Sequence, residues 1–229
     1  MVRNGLYFFI AIGLLALPAF WPSYLSRIGA EKLPQVHFHG LLMFAWVVLL
    51  VAQGALIRGR RRVWHRALGK VSYALVPLIA LSTLSLAHLR IGASPRPLPA
   101  ELLYFFYVQL ALLAFFVIAY GFAIMHRRDP ELHGRYMFCT ALALVDPIVA
   151  RLLYYALGVG FPLGQFITYG AVVLVLVGMI GADRQRGKSS RVFPGMLLTF
   201  IVLVAPTFFL PQLRVWADFA EWFAQLPLP

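Results

Sequence analysis

The chain has 229 residues, of which 62% are apolar and only 12% charged, about half the charged share of an ordinary soluble domain, which excludes a water-soluble fold and predicts an all-α membrane bundle. The net charge of +12 does not point to nucleic acid, because its Lys and Arg residues sit in short clusters between long apolar runs, as in the loops of a membrane protein. The single cysteine, Cys139, lies inside an apolar run and can form no intrachain disulfide, so cysteine usage does not reveal the compartment.

A hydrocarbon core needs about 20 mostly apolar residues per helix. Such windows occur seven times, at about residues 5–24, 35–57, 69–89, 102–125, 134–157, 164–182 and 192–213. The first reads as an anchor rather than a cleaved signal, since Pro18, Phe20, Trp21 and Pro22 stand where a small-residue cleavage site would be. Arg3, then Arg58, Arg60, Arg61, Arg62, Arg66 and Lys70, then Arg127, Arg128 and Arg135, then Arg184, Arg186, Lys188 and Arg191 fall on one side of this topology. Arg27, Lys32, Arg90, Arg96 and Arg214 fall on the other, which predicts the amino terminus inside and the carboxyl terminus outside. The Arg58 to Arg62 run reads as a topology signal, with anionic lipid as a possible contact. Pro95, Pro97 and Pro99 predict an extended outer crossing. Beyond the last span Trp216, Phe219, Trp222 and Phe223 recur at helical spacing around Asp218 and Glu221, predicting a short interfacial helix over about residues 215–226. No repeat or linker divides the chain, and residues 1–229 read as one domain.

Polar side chains are costly in a bilayer, so those kept there mark candidate function. The six histidines form two layers: His37, His39 and His88 on the outer side, and His65, His126 and His133 on the inner. At 100° per residue, His39, Met43, Trp46, Leu50 and Gln53 form one stripe down the second span, and His37 points nearly opposite. His65, Gly69, Ser72, Val76 and Thr83 share a stripe on the third, whose small members suit a flat cofactor or a close backbone. His133, Met137, Thr140, Leu144 and Arg151 share a face of the fifth. Trp46 reads as packing rather than a cofactor stack.

A bis-imidazole haem needs two histidines at one depth, small residues beside the macrocycle and a cation for its propionates. His65 with His133 or His126 meets this for an inner site, and His39 with His88 or His37 for an outer one, with Arg90, Arg96 or Arg151 as the cation. The outer trio of His37, His39 and His88 equally suits zinc or copper. Asp146 lies about 12 residues into its span, roughly 18 Å deep at 1.5 Å per residue. It is the candidate acid, base or proton-relay group, with satisfaction of backbone freed by Pro147 as the structural alternative. Arg151 near the outer boundary can snorkel.

His39-Gly-Leu-Leu-Met-Phe-Ala-Trp46, the arginine after that span at Arg58, and Trp64-His65-Arg66 resemble motif blocks of the transmembrane di-haem cytochromes b that pass electrons from ascorbate. The resemblance implies four central helices with one histidine each, the second paired with the fourth and the third with the fifth, and His39, His65 and His133 in three of those roles. The fourth span opens Glu101-Leu-Leu-Tyr-Phe-Phe-Tyr107 without a histidine, so an outer haem would draw on His88 or His37. His37-x-His39-Gly, Trp64-His65-Arg66-Ala-Leu-Gly69, Pro130-Glu-Leu-His133-Gly-Arg135-Tyr-Met137 and Asp146, over about residues 35–152, resemble an uncharacterised domain-of-unknown-function family of bacterial inner-membrane proteins, which implies that location and no activity. The leading expectation is a membrane redox protein that binds b-type haem and meets a quinone or other redox partner. The alternatives are a zinc- or copper-binding enzyme or assembly factor, and a proton-coupled transporter using Asp146 and Arg151.

Overall fold

The computed structural model describes residues 2–31, 33–187 and 190–227, with side chains from residue 5 onward. Lys32 and Lys188, two of the cations used to orient the chain, and the side chain of Arg3 lie outside what is described. Ten α-helices follow in order among the described residues: α1 (Val2–Phe20), α2 (Pro34–Arg58), α3 (Arg62–Gly69), α4 (Ser72–Gly92), α5 (Ala100–Met125), α6 (Pro130–Leu142), α7 (Val145–Leu157), α8 (Leu163–Gln185), α9 (Val192–Val204) and α10 (Arg214–Ala224). No strand occurs among those residues.

Six elements are long and apolar enough to cross a membrane: α2, α3 with α4 (Arg62–Gly92), α5, α6 with α7 (Pro130–Leu157), α8, and α9 with its 3-10 extension to Gln212. The apolar part of α1, Gly5–Phe20, is shorter. The first window therefore ends four residues early, because the chain turns at Trp21–Tyr24 just after Pro18 and Phe20. The third begins earlier than expected, at Arg62, which puts His65 on the helical element instead of ahead of it.

Local chemistry explains the ends. Proline opens α2 and α6, where its missing N–H costs nothing. Asp129 caps α6 by accepting from the Glu131 and Leu132 amides at 2.9 and 3.0 Å. These bonds hold its exposed carboxyl below the usual aspartate range, the Leu132 amide contributing most. α7 ends at Gly158, whose φ of +67° is left-handed. The break between α6 and α7 falls at Ala143 and Leu144, as Pro147 dictates, since its ring displaces the carbonyl four residues before it.

The helices close into a ring in which α1 packs on α2, α2 on α4, α4 on α5, α5 on α9, α9 on α8, α8 on α7 and α7 on α1, while α6 lies against α5, α9 and α1. α1 approaches α2 closely because Gly13 and Gly54 leave room: a Cβ there would meet Val47 at 3.1 Å and Leu6 at 3.2 Å. Trp46, Phe115, Cys139, Leu142, Leu176, Phe193 and Phe200 are buried in the interior. Large apolar side chains such as Leu41, Phe44, Leu174, Leu198 and Val202 face outward, as a lipid-exposed surface requires. The carboxyl-terminal helix does more than lie in an interface. Trp216, Ala220 and Phe223 pack with Ala87 and Ile91 of α4 and with Leu103 and Phe106 of α5, and the Trp216 indole donates to the Leu103 carbonyl at 2.9 Å.

Candidate functional site

α3 and α6 bring His65 and His133 together, with ring centres 6.3 Å apart and planes at 83°. His133 Nδ1 donates to the Ala123 carbonyl at 2.8 Å, which fixes the ring and leaves Nε2 as the nitrogen that could bind a ligand. His65 Nδ1 is buried and has no hydrogen-bond partner. The same is true of both amide atoms of Gln53 on α2. Gly69 lies beside the Gln53 amide, where a Cβ would stand 3.4 Å from Nε2, an ordinary contact. Two turns along α2, Trp46 is fully buried between Phe116 and Tyr120 at 5.1 and 6.0 Å, and its indole nitrogen also lacks a partner. Packing explains the rings around Trp46, but not the unpaired polar atoms, because buried polar groups are ordinarily satisfied. Unpaired buried polar atoms thus occur at Trp46 and Gln53 on α2 and at His65 on α3.

The other histidines are separated. His37 is fully used: its Nε2 donates to the Glu31 carbonyl at 3.1 Å and its Nδ1 accepts from the Tyr24 hydroxyl at 2.9 Å, tying the turn before α2 to that helix. Ser82 donates its hydroxyl proton to Ile79, so His39 Nδ1 donates to Ser82 Oγ at 3.1 Å. His88 packs edge-on against Phe223, 5.6 Å between centres, with Nε2 buried and unpaired. His126 bonds the Phe122 carbonyl and stacks on Tyr136. The expected outer trio thus has three separate sets of partners. Among the described residues no group of three or more His, Cys, Asp or Glu is arranged to hold a metal ion.

Two arginines differ from their expected roles. Arg135, counted above as a loop cation, is buried on α6 and pairs with Glu131 at 2.8 Å and with buried Asp183 of α8 at 3.0 Å. Arg151 is half-buried and held, donating to the Pro147 carbonyl at 2.8 Å with its guanidinium 4.4 Å from the Phe20 ring centre.

Asp146 is buried at the start of α7, beside the helix break. Its Oδ1 accepts from Gln165 Nε2 and from Thr168 Oγ1, both at 2.5 Å. Gln165 Oε1 in turn accepts from the Tyr104 hydroxyl at 2.5 Å. Farther along α8, Tyr169 and Thr207 share a hydrogen bond of 3.0 Å. Sequence reasoning singled out Asp146 but missed Tyr104, Gln165 and Thr168. The available signal was Gln165 and Thr168 spaced three apart in an apolar span.

The chain matches no protein-family model, no curated protein and no solved structure.

Proposed function

We propose that the chain is a membrane redox protein that holds a b-type haem between His65 and His133. The observation that carries this reading is the pair itself: two imidazoles from different spans, one fixed through its far nitrogen and the other with an unpaired buried nitrogen. The ring centres are 6.3 Å apart, within the reach of two imidazoles that would each bond one metal at about 2 Å. Two histidines would be enough to hold a haem, whereas zinc wants four donors or three with an open position. The donor set therefore favours haem over zinc or copper at this pair.

The residues have separable tasks. The Ala123 carbonyl orients His133 and raises its basicity, as outer partners of metal-bound histidines do. Gln53 would offer both a donor and an acceptor to a ligand, from unpaired buried amide atoms next to Gly69. Arg62 and Arg66 lie on the same short helix as His65 and would offer cations to a ligand's carboxylates. Haem supplies one-electron chemistry when bound, and the chain needs no nucleophile or general base of its own.

In this reading α1 is the first of seven crossings, with the amino terminus inside and the carboxyl terminus outside, as the Lys and Arg asymmetry supports. The likeness to the di-haem cytochromes b then extends to one of their two sites. The proposed setting is a bacterial inner membrane with a quinone or protein redox partner. The test is an absorption spectrum of the detergent-purified chain, oxidised and dithionite-reduced. The expected result is a Soret band with alpha and beta bands on reduction, lost in His65→Ala and His133→Ala and kept in His37→Ala. A colourless wild-type protein after expression with haem supplied, or pigment retained in both inner variants, overturns the assignment.

A further inference from the structure

We propose that Asp146 is a proton-binding site, held as a neutral carboxylic acid inside the bundle, and that it exchanges with water at the end where α5 and α8 begin, beneath a lid formed by Phe161 resting on Tyr104. The site lies apart from the histidine pair and does not depend on the haem reading.

Three observations lead here. First, Asp146 is only 4% exposed, and among the described residues no Lys, Arg or His comes within ion-pair distance of it. An ionised carboxylate buried without a cation is strongly disfavoured, and protonation is the usual relief. Second, both donors, Gln165 Nε2 and Thr168 Oγ1, are neutral and converge on one oxygen, Oδ1. That leaves Oδ2 with no hydrogen-bond partner among the described residues and available to carry a proton. The groups that face it are accounted for: Gln165, Thr168 and Tyr169 on α8, Tyr104 on α5, and Arg151 on its own helix, which is engaged by the Pro147 carbonyl and the Phe20 ring.

Third, the cover on this site is thin. Gln165 is held by the buried Tyr104 hydroxyl, and the Tyr104 ring lies against Phe161 with centres 3.9 Å apart. Phe161 is 55% exposed and sits in the short segment between Gly158 and α8, a connection that begins with a left-handed glycine. One exposed ring on a loop therefore packs on Tyr104, the first member of the Tyr104–Gln165–Asp146 chain of hydrogen bonds. Loop side chains of this kind open on fast local timescales. The exchange is a bare proton transfer: water gives H⁺ to, or takes it from, the free carboxyl oxygen, with no other bond changed.

The experiment is infrared spectroscopy of the full chain in lipid nanodiscs, transferred from H₂O to D₂O at neutral pH, with melting curves for each variant. The wild type is expected to show a protonated-carboxyl C=O band that moves slowly in D₂O. Asp146→Asn, which keeps shape and hydrogen bonds, is expected to remove that band. Phe161→Ala, a change of an exposed side chain, is expected to leave the band in position and speed its exchange by about tenfold, the effect of weakening a local closed state by roughly 1.4 kcal/mol. If Asp146→Asn does not fold, Thr168→Val serves instead and is expected to shift the band by removing one donor from Oδ1. Absence of any band sensitive to these changes overturns the protonated acid. Equal exchange rates in Phe161→Ala and wild type overturn the lid. Haem content, read on the same samples, is expected to be unchanged, so failure here is distinguishable from failure of the redox reading.

Discussion

The His65–His133 pair and the Asp146 network are both polar islands in an apolar bundle, yet they are built in opposite ways. Around Asp146 one carboxyl oxygen, the Gln165 amide and the Tyr104 and Thr168 hydroxyls all find protein partners, linked in sequence, and only the second carboxyl oxygen is left over. Around His65 the partners are missing: one imidazole nitrogen, both Gln53 amide atoms and the Trp46 indole are buried and unpaired. A satisfied network is self-sufficient and rigid, whereas an unsatisfied one holds hydrogen-bonding capacity in reserve for something else. The contrast is what supports the two proposals, a ligand at the histidine end and an internal proton at the aspartate end.

The largest expected effect tests the frame that carries the histidine end. Arg135 is buried two residues after His133 and bridges α6 to Asp183 of α8. Arg135→Ala leaves Asp183 buried without its cation, at a cost of about 3–5 kcal/mol. The expected outcome is a large drop in melting temperature or failure to accumulate in the membrane. Arg135→Ala together with Asp183→Asn is expected to recover most of that loss. If the single variant melts like wild type, the pair is not structural.

The two islands are next separated by matched substitutions. Gln165→Leu removes a donor to Asp146 and orphans Tyr104, and is expected to destabilise by about 1–2 kcal/mol in a membrane setting. Gln53→Leu removes an amide that has no partner, so it is expected to leave stability unchanged or raise it. Gln53→Leu is expected instead to weaken pigment or shift its spectrum, and Gln165→Leu to leave the pigment intact. Thermal melts and spectra of the two variants check both halves. Equal destabilisation in both would erase the contrast between the islands.

Much of this was legible in the sequence. The apolar windows delimit the long helices to within a few residues, apart from the third, whose helix starts about seven residues earlier at Arg62, and Pro147 foretells the break before α7. Helical phase with loop placement brings His65 and His133 to one end. What phase does not give is what lies opposite. His88 meets Phe223 because the terminal helix folds back onto α4 and α5, a long-range packing event with no periodic signature. His37 is absorbed by Tyr24 and Glu31 in an irregular turn. Arg135 reads as a boundary cation because the rule for orientation counts charge by position, while its side chain reaches inward to Asp183. Gln165 and Thr168 stayed hidden because α8 starts level with Asp146, as their hydrogen bonds require, although 19 residues separate Asp146 from Gln165.

The smallest expected effect concerns pH and again tells the two ends apart. Asp129 caps the helix that carries His133, and its carboxyl lies below the ordinary aspartate value of 3.8 because the Leu132 and Glu131 amides bond the charged form. A group whose folded value is depressed contributes its stability above the unfolded value and loses it as pH falls through the folded one. Acidification below about 3.8 is therefore expected to loosen the first turn of α6, while Asp146, already neutral, has no charge to lose. Hydrogen exchange measured by mass spectrometry on the segment around residues 126–134, against the segment that holds Asp146, reads the difference. Asp129→Asn caps without titrating, so in that variant the acid-dependent increase at the start of α6 is expected to vanish. An increase that persists in Asp129→Asn would assign the loosening to another group, and the cap would then have no part in how the histidine end responds to acid.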